Sequence, residues 1–240
     1  MNALRLAMAL VIGVAVVGSA WTSRSEPAER PALGPMAAGA GQNVSCAYWG
    51  KGSPTAHERQ MLRTAPEGAK RTSAHVLTVR YKDGIHSFVD KRPYREELSG
   101  FHWTYCGYLP ILGAHLIGME DEDLFTGKLL VDGDGRVIDG GQTVYPSPDG
   151  KLFLAESQVD GEELSHWVLS DLAGRRLWVS ESGITKKDLV LQEFEAPHWI
   201  SDNAIQVSVT CGDRAGTKGK ATLTRDGNVW RWKSSLHCLE

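Results

Sequence analysis

Thr143-Val144-Tyr145-Pro146-Ser147-Pro148-Asp149-Gly150-Lys151-Leu152-Phe153-Leu154-Ala155 is the stretch that decides the fold. Two β-rich runs flank Ser-Pro-Asp-Gly. Proline presets the φ that the second residue of a turn needs, and glycine tolerates the positive φ of a tight hairpin. The same arrangement recurs along the chain. Val76–Tyr81 meets Lys82-Asp83-Gly84 and then Ile85–Val89; Lys128–Val131 meets Asp132–Gly135 and then Arg136–Ile138. His166–Leu169 meets Ser170–Gly174 and then Arg175–Val179; Ala221–Thr224 meets Arg225-Asp226-Gly227 and then Asn228–Trp232. This repetition predicts an all-β fold of antiparallel hairpins, arranged as propeller-like or sandwich-like sheets. Helix signals concentrate in Ser53–Arg63, where Thr55 and Glu58 have capping-box spacing, so one short peripheral helix is expected. Lys186–Leu191 adds at most a further turn.

The 240 residues are 42% hydrophobic and 23% charged, which excludes a disordered chain and a coiled coil. A formal net charge of −3 argues against nucleic acid or anionic lipid as the main partner.

The N-terminus carries an address. Arg5 precedes the apolar run Leu6–Val17, and Gly18-Ser19-Ala20 supplies small residues. That is the three-part form of a secretory signal peptide over 1–20, cleaved after Ala20. The alternative is an uncleaved membrane anchor, because residues 6–23 carry no charge. Trp21–Gln42 holds Pro27, Pro31 and Pro35 and no periodic apolar face, which reads as a flexible linker. Residues 43–240 then form a single β-rich domain, periplasmic or secreted.

The four cysteines, Cys46, Cys106, Cys211 and Cys238, agree with export, since an oxidising compartment preserves disulfides. Three pairings are open. Cys46–Cys106 and Cys211–Cys238 are favoured, the second because Cys211 ends the candidate strand Ala204–Cys211 and Cys238 follows the strand Asn228–Lys233. No CxxC occurs, so a zinc module does not fit.

No GxSxG, HExxH or glycine-rich phosphate loop occurs, so no catalytic residue and no cofactor is assigned. The most distinctive internal feature is a repeated His-Trp pair: His102-Trp103, His166-Trp167 and His198-Trp199. Strand neighbours point to opposite faces, so inward indoles leave the imidazoles outward. Three converging imidazoles are a candidate zinc or copper site. The plainer reading has tryptophan anchoring the sheet and histidine half-exposed beside it. Glu120–Asp123 and Asp132–Gly135 are acidic clusters, but Arg136 stands where a calcium loop needs its third acid, which favours a solvated loop and a hairpin turn. Trp49, Tyr94, Phe101, Trp103, Tyr105 and Tyr108 make the middle region aromatic, as core or as a binding face.

Val144–Ala155 resembles the SPDG hairpin of bacterial WD40-like or TolB-like β-propeller repeats, a hairpin found in uncharacterised exported proteins. Leu172–Trp178 is similar to the strand pair that closes such a blade, and Pro197–Asn203 to the start of the next. The resemblance spans roughly residues 105–233 and implies a hairpin type without implying a ligand. The expected function is an exported β-rich binding module, an inhibitor or immunity-type protein being one form of it. Its partner would be a protein or glycan of the cell envelope, with the membrane involved only through an uncleaved N-terminus. The alternative is a hydrolase or metal-dependent enzyme with its site near the His-Trp strands.

Overall fold

The computed structural model describes residues 42–46, 54–66, 68–91, 100–121, 124–157, 166–180, 191–211 and 217–234. The expected signal peptide, the linker apart from Gln42, Trp49, Tyr94 and Cys238 lie outside them. No helix among the described residues is long and apolar enough to cross a membrane.

Strand β1 (Val44–Ser45) and helix α1 (Pro54–Thr64) precede four antiparallel sheets. The first holds β2 (Lys70–Ser73), β3 (Val76–Tyr81) and β4 (Gly84–Val89). The second holds β5 (His102–Leu109), β6 (Ala114–Asp121), β7 (Leu124–Val131) and β8 (Val137–Asp139). The third holds β9 (Thr143–Pro146), β10 (Leu152–Ser157), β11 (His166–Asp171) and β12 (Arg176–Val179), with β1 added beside β9. The fourth holds β13 (Leu191–Ser201), β14 (Ala204–Cys211), β15 (Lys218–Asp226) and β16 (Val229–Ser234). Every expected hairpin is present, each strand pairing with its neighbour in sequence. None of the four sheets closes on itself.

The Ser-Pro-Asp-Gly turn shows how locally these hairpins are specified. The Ser147 hydroxyl donates to Asp149 Oδ1 at 2.8 Å and accepts the Leu152 amide at 2.9 Å. The Lys151 amide donates to the same Asp149 oxygen at 3.1 Å. Gly150 sits at φ 69°, where a side chain is strained, and a Cβ there would lie 2.3 Å from the Ile111 carbonyl oxygen.

Three cores separate the sheets. Leu77, Val79 and Phe88 meet Tyr105, Ile117 and Leu130 between the first and second sheets, with Met61 and Leu62 of α1 against them. Cys106, Leu116 and Leu129 meet Val144, Phe153 and Ala155 between the second and third. Leu154, Trp167 and Leu169 meet Ile205, Val207 and Leu223 between the third and fourth. The middle sheets are therefore buried on both faces. That is why Leu129-Leu130-Val131 and Leu152-Phe153-Leu154-Ala155 read as unbroken apolar runs where a half-exposed strand would alternate. The fourth sheet does alternate: Gln206, Ser208 and Thr210 interleave with buried Ile205, Val207 and Val209.

Cys46 and Cys106 form a disulfide with Cα atoms 4.7 Å apart, so the favoured pairing for these two is present. It fastens the segment after β1 to β5 across 60 residues of sequence. The Cys211–Cys238 pairing falls outside the described residues. The helix corrects one expectation. Because α1 starts at Pro54, Thr55 is already helical, and Glu58 does not act as a capping-box partner. Pro54 takes the first helical position, where its missing N–H costs nothing. Glu58 is 5% exposed and turns to the sheets instead. Leu191, expected to end an extra turn, opens β13.

Candidate binding groove and neighbouring polar clusters

Adjacent sheets meet in two different ways. Between the third and fourth sheets Trp178 and Trp232 pack edge to face, ring centroids 5.6 Å apart, leaving a void of only about 10 Å³. Between the second and third sheets the space is lined mainly by small residues. Ala155, Ser157, Val168 and Ser170 form a floor, Gly140 and Gly174 flank it, and Phe125 and Thr126 bound it, leaving a groove of about 230 Å³. Beside the groove the chains nearly touch: a Cβ at Gly141 would lie 2.3 Å from the Glu156 carbonyl oxygen. The groove is thus a gap in a wall that is otherwise closely packed.

Asp139 and Arg176 stand at its rim. The Asp139 carboxylate accepts from Lys128 Nζ at 2.8 Å and from Arg176 Nη2 at 3.3 Å. The Lys128 hydrogen bond holds the Asp139 carboxyl below the usual range, against a smaller opposing effect of burial. Ser170, at 5% exposure, is among the few buried polar side chains, and it faces this space.

A second cluster ties α1 to the first two sheets. The Glu58 carboxylate accepts from Arg71 Nε and Nη2 and from the Tyr105 amide at 2.9 Å. Arg71 Nη2 also donates to the Trp103 carbonyl. Asp90 accepts the Trp103 amide at 2.9 Å through Oδ1. Its Oδ2 lies 3.5 Å from His75 Nδ1, 3.5 Å from His102 Nδ1 and 3.8 Å from Arg71 Nη1. Two buried carboxylates thus share one guanidinium and fix the start of β5, which is a structural role.

A third network lies inside the second sheet. The Tyr105 hydroxyl and His115 Nδ1 are 2.9 Å apart, His115 Nε2 and Asp132 Oδ1 3.2 Å apart, and the Tyr108 hydroxyl donates to Asp132 Oδ2 at 3.0 Å. Burial lowers the His115 pKa, although Asp132 pulls the other way. Burial also pushes both phenols up, with Asp132 adding to it. Sequence reading missed this network. Its only trace is a histidine inside the apolar run Ala114–Ile117, followed at hairpin distance by the acid that opens the turn Asp132–Gly135.

The three histidines of the His-Trp pairs occupy three sheets: His102 on β5, His166 on β11 and His198 on β13. The structure does not bring them together. His102 joins the Asp90 cluster, and His198 Nδ1 lies 3.4 Å from the Ala196 carbonyl oxygen. Among the described residues no group of three or more His, Cys, Asp or Glu is placed to hold a metal ion. Their partners do pack inward, Trp167 and Trp199 into the core of the third and fourth sheets and Trp103 against that of the first and second. Of the acidic clusters, Asp134 is occupied by the Arg136 amide and Nε, as a hairpin turn requires, and Glu122 and Asp123 lie outside the described residues. Comparison with protein-family models, with curated proteins and with solved structures finds no match.

Proposed function

We propose that the chain is an exported β-rich binding module of the bacterial cell envelope, periplasmic or secreted, whose partner is a protein or glycan. The observation that carries this reading is the Cys46–Cys106 disulfide. Paired thiols persist in oxidising compartments and are reduced in the cytosol. The signal-like residues 1–20 support the same destination. A concave groove with a few convergent polar groups supports binding as the activity. An inhibitor or immunity-type protein that seats part of itself in a partner's cleft is one form of this function. The finer architecture is read as propeller-like: each sheet is a blade-like meander, and sequential sheets pack face on face, as the SPDG resemblance implies.

Expression of the full chain in a bacterium, followed by fractionation and thiol alkylation before denaturation, tests this. The expected result is an exported protein whose terminus is Trp21 and whose Cys46 and Cys106 escape alkylation. A cytoplasmic protein with four free thiols would overturn it.

A further inference from the structure

We infer that the groove between the second and third sheets binds a neutral, hydroxyl-rich six-membered ring, a pyranose either free or at the end of a glycan chain. The inference deepens the binding-module reading and rests on it.

Size comes first. A volume of about 230 Å³ exceeds the ~150 Å³ that houses a benzene ring and falls short of the ~300 Å³ at which drug-sized sites begin. A single substituted ring fits that interval. The chemistry of the lining is mixed in the way a sugar is mixed. Ala155, Val168 and Phe125 offer apolar surface for C–H faces, while Ser157 and Ser170 offer hydroxyls that both donate and accept. At the rim Asp139 accepts and Arg176 donates, so one ligand hydroxyl can satisfy both.

Charge decides between ligand classes. Of the residues lining the groove only Asp139 and Arg176 carry charge, one of each sign, and they pair with each other at the rim, so the interior offers no counter-charge to an anion or to a cation. A neutral polyol leaves neither charge uncompensated. Finally, the gap does not follow from the stack itself. One layer on, Trp178 and Trp232 close the space between the sheets, whereas here Ala155, Ser157, Ser170, Gly140 and Gly174 line it.

The test is calorimetry and ligand-observed NMR on the full exported chain with four probes. These are methyl β-glucopyranoside, methyl N-acetyl-β-glucosaminide, chitotriose and gluconate. Both glycosides or the trisaccharide should bind and gluconate should not. Binding of the single rings points to a free sugar as the natural ligand, and binding of chitotriose alone points to a chain end. Asp139→Asn and Arg176→Gln, both at exposed positions, should each weaken binding about tenfold or more. Ser170→Leu should abolish it by filling the floor, with a thermal melt confirming the fold. Val229→Ser, on the fourth sheet, should leave it unchanged. Tighter binding of gluconate, no binding of any sugar, or binding indifferent to Asp139→Asn and Arg176→Gln would each overturn the inference. If no sugar binds to an exported chain with its disulfide formed, the inference alone falls. A cytoplasmic, reduced chain would instead remove the reading beneath it.

Discussion

The indole N–H of Trp199 donates to the carbonyl oxygen of Tyr145 at 2.9 Å, binding the first strand of the fourth sheet to the first strand of the third. The same indole packs edge to face on Trp230, centroids 6.1 Å apart. Trp199 therefore ties the two sheets through its N–H while its ring packs within the fourth sheet. Trp199→Phe keeps a ring but removes the donor, so the tie to the Tyr145 carbonyl is lost. The expected loss is about 1 kcal/mol, measured as a lower urea midpoint at unchanged slope. An unaltered midpoint would show that water replaces the indole.

Gly150→Val should be more severe. The residue sits at φ 69°, which valine rarely adopts, and its Cβ would meet the Ile111 carbonyl oxygen at 2.3 Å. Strain of about 1–3 kcal/mol from the backbone adds to the displacement of the Pro110–Leu112 turn. The expected loss is at least about 2 kcal/mol by chemical denaturation. Gly227→Ala serves as the comparison: its φ is also positive, but no atom lies within 4 Å of the added Cβ, so only the backbone cost applies.

The disulfide closes a span of 60 residues. Chain-entropy arguments place the stabilisation from such a loop at about 4 kcal/mol, with measured losses for native bridges commonly about 2–5 kcal/mol. Cys46→Ser should lower the melting temperature, and reductant should lower the parent at least as far. A further fall when reductant is added to the variant would report the second expected bridge, Cys211–Cys238.

Stability should fall on mild acidification, and His115 supplies the cause. Unfolded, its imidazole takes a proton near 6.5; folded, burial defers protonation to lower pH. Between those two values the unfolded chain binds more protons, so stability is fully present above about pH 6.5 and is lost as pH falls toward the folded value. The Asp171 carboxyl adds a separate, more acidic step. Burial would raise its pKa, but hydrogen bonds from Arg175 outweigh that and hold it below 3.8, so its contribution is present above that pH and disappears beneath it. Denaturant midpoints between pH 7 and pH 3 should show both steps, and His115→Gln should erase the first. A flat profile from pH 7 to pH 5 would exclude His115 as a buried neutral group.

Turn chemistry made the hairpins legible without any coordinates, because the information sits within a few residues. Ser147, Asp149 and Gly150 specify their turn through bonds among 147–152, and the Asp-Gly turn at Asp226-Gly227 likewise separates paired strands. Cysteine number pointed to disulfides but left three pairings open, since the partner of Cys46 depends on which sheet packs across from β1, here the second through β5. The His-Trp repeats correctly marked indoles that pack inward. They said nothing of where the imidazoles end, because each lies on a different sheet. The groove was illegible for a related reason: alanine, serine and glycine carry no sequence signal, and their significance appears only when β7 and β8 come to face β10 and β11. Face-to-face packing of separate sheets is a long-range outcome of burying both sides of the middle layers. It alone decides which small residues leave a cavity and which pairs, such as His115 with Asp132, become a buried network.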